Sequence, residues 1–392
     1  MRKGIWLFLL FSCLLLPDIA QGMELETSPV NDLVRKQLDQ LQTEEVEAYW
    51  KELQSEYGQF FPGGEVPSLF DLVLGKEKEW TLEGLLQGFL RFFFHEILYN
   101  GKLLGTIIVL TVFSMILSTL QSAFEGNQVS KVAYAVVFLV VFILAINSFS
   151  TAVESANTAI GRMVHFMLAL IPLIFTLLAS MGNFTSVGLF HPLIVFMIHT
   201  IGTLIYTIIF PLLFFSAVLS IVSSLSDKYK VNQLADLLRR VGIGLLGGLI
   251  TIFLGIISVQ GATAAVTDGI TVRTAKYVTG NFVPVVGRMF SDAADTVVGA
   301  SLLMKNAVGV AGVMILLLIS AFPALKILSL ALIYNFSAAV MQPLGNSPVI
   351  YCLNIIGKTL LYVFAALATV GLMFFLAITL IVTAGNISVM MR

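Results

Sequence analysis

The chain has 392 residues, 58 % of them hydrophobic and only 11 % charged, with a mean hydropathy of +0.94. Roughly a quarter of the residues in soluble domains are charged, so this composition excludes a soluble globular domain and points to an integral membrane protein. The net charge of −1 conceals an asymmetry: residues 23–103 carry seven Lys/Arg against fifteen Asp/Glu, whereas 104–392 carry thirteen against seven.

Residues 1–22 read as a secretion signal. Arg2 and Lys3 supply the positive start, Ile5 to Leu16 the apolar stretch and Ala20-Gln21-Gly22 a small-x-small site, so cleavage is expected after Gly22. An uncleaved anchor is the competing reading, because Asp18 is unusual beside a cleavage site. Either way, residue 23 starts on the outer face. In the acidic extracytoplasmic stretch 23–103, Leu33, Leu38, Leu41, Val46, Trp50 and Leu53 recur at helical spacing and predict a mostly helical segment, broken between Gly58 and Pro67. From Leu82 to Leu98, the residues Leu85, Leu86, Phe89, Leu90, Phe93, Ile97 and Leu98 lie close to one helical face. That pattern suits an amphipathic helix in the membrane interface, or one packed on a soluble core.

Seven runs are long enough to cross a bilayer, for which about 20 residues are needed. They lie near 104–121, 132–150, 163–180, 193–222, 243–260, 307–333 and 355–384. Because they are continuously apolar and do not alternate, the expected fold is all-α: a polytopic helical membrane domain over 104–392 with about seven transmembrane helices. The fourth run would be about 45 Å long as a helix, too long for one straight crossing. Gly202 and Pro211 offer places for a kink or a hairpin. Basic residues are nearly balanced between the two sets of loops, so only the N-terminal side is assigned.

Between the fourth and fifth runs, Lys228 to Val241 is amphipathic, with Lys228, Lys230, Arg239 and Arg240 opposed to Val231, Leu234, Leu237 and Leu238. It reads as a helix on the membrane surface with its bases toward headgroups, or as a snorkelling helix end. The following Gly242-Ile243-Gly244-Leu245-Leu246-Gly247 matches a dinucleotide-binding pattern, but that chemistry needs a preceding strand. Gly244 and Gly248 at G-x-x-x-G spacing, with Gly255 on the same side, instead predict a smooth surface for close helix packing. Gly357-Lys358-Thr359 imitates the end of a phosphate loop, yet Cys352 stands where its first glycine belongs. The four histidines have no carboxylate or thiol at ligand spacing, and no nucleophile has an orienting base. Neither an enzyme nor a cofactor is expected, and nothing suggests nucleic acid.

Polar residues in apolar company are the candidate assembly or pathway sites. On a helix Arg288 faces Asp292, and Asp292 shares a face with Asp295; Lys305 follows, and Lys326 lies inside the sixth run. Charges within a bilayer mark a pathway or a subunit contact unless they are simply solvated.

Ile171-Pro172-Leu173 leading into Leu178-Ala179-Ser180-Met181-Gly182-Asn183-Phe184-Thr185-Ser186, then His191-Pro192, resembles the stage III sporulation protein AE family. So does Val283-Pro284-Val285-Val286-Gly287-Arg288-Met289-Phe290-Ser291-Asp292-Ala293-Ala294-Asp295-Thr296-Val297, with Leu303, Lys305, Asn306 and Gly309. The resemblance covers essentially the whole chain. It implies a multi-pass protein of the mother-cell membrane surrounding the forespore, acting with other stage III sporulation channel proteins in a complex that links the two cells and is needed for forespore development. It leaves homo-oligomerisation open and supplies no catalytic residues. A stand-alone secondary transporter is the alternative: Pro172, Pro211 and Pro323 would break spans, and Asn335 or Asp292 would meet a solute.

Overall fold

A computed structural model describes residues 44–61, 82–123, 128–225, 231–282, 286–344 and 347–390. The signal segment and Leu33, Leu38 and Leu41 lie outside the described residues. Every regular element among the described residues is helical. The nine α-helices are α1 (Glu44–Tyr57), α2 (Leu82–Tyr99), α3 (Gly101–Ala123), α4 (Gln128–Ser180), α5 (Phe184–Leu204), α6 (Phe210–Leu225), α7 (Asn232–Phe282), α8 (Val286–Met341) and α9 (Pro348–Met390).

Five helical stretches are long and apolar enough to cross a membrane: Val132–Ser180, Pro192–Ser224, Asn232–Thr271, Thr296–Met341 and Pro348–Ile387. A sixth is the pair α2–α3, bent by 46° at Asn100. Seven were expected, and the difference arises in α4. There the runs at 132–150 and 163–180 belong to one continuous helix of 53 residues, about 80 Å long. The polar stretch between them contains no proline and only Gly161, so it lacks turn chemistry. Buried Ala145, Ala152, Ala156 and Ala159 continue the apolar stripe straight through it. The helix stops where the backbone requires it. Gly182 takes φ 82°, its N–H donates to Ala179 O at 2.8 Å and the Asn183 N–H donates to Leu178 O at 3.0 Å, which is a Schellman stop with glycine at the left-handed position.

The long fourth run is a single helical path. A π turn at Ile205–Ile209 joins α5 to α6, with the Phe210 N–H donating to Ile205 O. It falls between Gly202 and Pro211: the proline lacks an N–H and its ring crowds the preceding turn, which the wider π turn accommodates. No hairpin forms.

The core is a three-helix antiparallel bundle of α4, α8 and α9. Ser301, Gly312, Ser320 and Tyr334 of α8 meet Ser180, Leu170, the level of Met163 and Ser148 of α4. As the number rises on one helix it falls equally on the other. α9 runs in the same register against α8, with Gly357 on Asn335, Gly371 on Ser320 and Val382 on Gly309. Burial follows: 61 % of the residues in the most apolar window of α8 are buried, against 17 % in that of α7, which lies at the edge against α6 and α9.

The N-terminal segment docks midway along this bundle. α1 buries Val46, Trp50 and Leu53, and its first-turn Glu44, Glu45 and Glu47 suit the positive helix end. Phe322 of α8 is the anchor, stacked on Tyr57 with ring centres 4.1 Å apart and flanked by Phe92 at 5.0 Å, Phe89 at 5.5 Å and Phe61 at 5.9 Å. α2 therefore packs one face on the bundle and leaves Leu86, Leu90, Phe94 and Leu98 exposed on the other. Gly88 lets it approach, since a Cβ there would collide with the Phe60 carbonyl oxygen. Burial, then a hydrogen bond to Glu56, pushes the Tyr57 hydroxyl well above its ordinary range, so it stays protonated as a donor.

Arg162 completes the dock, reaching Glu56 at 2.6 Å and Glu52 at 3.2 Å. All three side chains are roughly a third or more exposed, and such pairs contribute about 0.2–1 kcal/mol. Arg162→Ala should therefore raise tryptic cleavage at Lys51 only modestly, and less so in high salt; an unchanged cleavage rate at low salt would count against the ion pairs.

Candidate functional site

Among the described residues Lys305 is a charge buried within the bundle. Ser301 and Lys305 stand one turn apart on α8, which puts them on one face, and that face is closed by α4 and α9. Lys305 is fully buried. Its Nζ donates to Val382 O at 2.8 Å and to Asn386 Oδ1 at 2.6 Å, two groups one turn apart on α9. The Ser180 and Ser301 hydroxyls lie 2.9 Å apart, tying the end of α4 to the same level. Gly385 makes the room: a Cβ there would sit 2.5 Å from Leu178 Cδ2 and 2.7 Å from Lys305 Nζ.

Among the described residues no carboxylate pairs with Lys305. Its two acceptors are neutral, so the site presents a fixed basic group inside an apolar bundle, where an ammonium is costly unless compensated. Asn306 Oδ1 next to it is buried without a hydrogen-bond partner among the described residues. Chemically, the arrangement can exchange a proton or bind an acidic group. Among the described residues no cluster could hold a metal ion.

The other expected site residues are dispersed. Arg288, Asp292 and Asp295 fall in the α8 helix, but their side chains lie outside the described residues; the Asp295 backbone is about 15 Å along the axis from Lys305. Lys326 is partly buried and about 31 Å along α8 from Lys305, so the two lysines do not act on one another. Gly244, Gly248 and Gly255 do not make the expected close packing within the chain, because a Cβ on any of them would meet nothing within 4 Å. That role falls to Gly309, against Val382, and Gly312, against Leu170. G-x-x-x-G spacing marks a smooth helix face without fixing what lies opposite.

Sequence reasoning missed Ser180, Ser301, Gly385 and Asn386, and gave Arg162 no partner. Ser301 and Lys305 at four-residue spacing in an apolar run were a readable sign. Val382 contributes a backbone oxygen, which leaves no trace in residue type.

The family model for stage III sporulation protein AE matches residues 65–385, a range that includes α2 to α8 and nearly all of α9. The curated stage III sporulation protein AE of Bacillus subtilis (strain 168) is 52 % identical over 373 residues, covering 95 % of this chain and 93 % of that protein. No solved structure matches the chain. With the family model matching most of the chain and the relative 52 % identical over 95 % of it, the chain belongs to the stage III sporulation protein AE family.

Proposed function

We propose that this chain is a non-enzymatic membrane subunit of a multi-protein channel connecting mother cell and forespore, set in the mother-cell membrane around the forespore and required for forespore development after engulfment. Family membership supports the sporulation role. The observation that carries the subunit reading is the external dock: an acidic helix fixed by Phe322 and Arg162 to a polytopic bundle, with Glu44, Glu45 and Lys51 left exposed. Such an element offers partner ectodomains a rigid charged surface. Other stage III sporulation channel proteins are the proposed partners, and the bilayer is the solvent.

The geometry supports a stand-alone transporter less well. Pro172 and Pro323 sit inside uninterrupted helices, and midplane solute sites are built from broken ones. Asn335 donates to Ala331 O within its own helix and lies against Gly357. Tagged protein extracted from sporulating cells should bring down other stage III sporulation proteins, and the purified chain in liposomes should show no solute uptake. Recovery of the chain alone, with uptake by those liposomes, would replace the subunit reading with the transporter.

A further inference from the structure

At the edge of the bundle, α7 diverges from α5 and the π turn and leaves an apolar groove of about 620 Å³. Phe196 and Ile208 wall one side, Leu245 and Ile252 the other, and Gly244 and Gly248 line it where side chains would otherwise intrude. Thr200 is the one hydroxyl in the lining, and it already donates to Phe196 O at 2.8 Å. The groove thus offers no spare polar group along its length, from Val241 to Ile256 on α7, about 22 Å.

A charge stands at one end. Arg240 precedes Val241 and lies one turn before Gly244 on the same stripe, and helical side chains lean toward the N-terminus, here toward the Lys228–Arg240 end of the span. Arg239 is paired with Asp236, whereas Arg240 is exposed and has no ion pair among the described residues. We propose that the groove holds one acyl chain of an anionic phospholipid whose phosphate is bound by Arg240. Charge selects lipid over protein: one exposed guanidinium at the end of an otherwise apolar groove matches a headgroup phosphate with an acyl chain behind it. In a bilayer, apolar contact alone gives little preference among partners, so selectivity comes from the charge-assisted hydrogen bonds of guanidinium to phosphate.

The test is native mass spectrometry of the full detergent-extracted chain with added dioleoylphosphatidylglycerol or dioleoylphosphatidylcholine. The wild type should retain one phosphatidylglycerol in preference to phosphatidylcholine. Arg240→Gln should reduce that preference about fivefold, the effect of one basic residue at an anionic surface. Gly244→Leu with Gly248→Leu should abolish retention of both lipids and leave the oligomeric state unchanged. Retention equal to wild type in the glycine variant would overturn the proposal. A loss of oligomers with retention unchanged would assign the groove to a second copy of the chain. If the glycine variant does not insert, the exposed Arg240→Gln decides alone, and an undiminished phosphatidylglycerol preference refutes the phosphate site.

Discussion

Phe322→Ala should release the N-terminal segment from the helical bundle while leaving the bundle inserted. The Phe322 ring is 1 % exposed, and truncating a buried phenylalanine costs about 3–5 kcal/mol. Its aromatic partners Tyr57, Phe61, Phe89 and Phe92 all belong to the dock, so that part of the loss falls on docking. Protease should then cut at Lys51 far faster than in Arg162→Ala, because desolvated aromatic contacts outweigh partly exposed ion pairs. Membrane extraction should yield the same amount of protein. Wild-type resistance at Lys51 would mean that α1 is held elsewhere, through Tyr49 on Phe166. Loss of sporulation together with release of α1 would connect the dock to assembly.

Helix type and position were legible in the sequence wherever a long apolar run was bounded by breakers. α2 matches the amphipathic stretch from Leu82 closely, and the π turn falls between the two residues expected to bend the fourth run. Continuity was legible only in the lack of turn chemistry between 151 and 162. Glu154, Asn157 and Arg162 look like a loop between spans, but the alanine stripe that carries α4 through them becomes meaningful only when α8 is placed beside it. The same limit applies to the glycines. Their spacing is local information, whereas Gly309 and Gly312 gain their role from Val382 and Leu170 on two other helices. At the candidate site the sequence marked the lysine by its charge in apolar company. Its acceptors come from a stretch about 80 residues away, and one of them is a backbone carbonyl.

Lys305→Met should abolish sporulation without lowering the stability of the extracted protein. The substitution keeps most of the stem volume and deletes two hydrogen bonds to neutral acceptors, worth about 1.5–3 kcal/mol each if the amine is charged. Against that it removes a buried ammonium with no described counter-ion, whose desolvation costs several kcal/mol. The two effects offset, and thermal stability should be unchanged or higher. If the lysine serves packing alone, spores should form normally with Met in its place. If it exchanges a proton or holds an acidic group during assembly or passage, no apolar residue can substitute. Asn386→Asp separates presence from availability: it places a carboxylate where Nζ now finds an amide oxygen 2.6 Å away, fixing the charge in an internal pair. That variant should also fail to sporulate although Lys305 remains. Heat-resistant spore counts at wild-type level in both variants, at wild-type protein abundance, would reduce Lys305 to a packing residue.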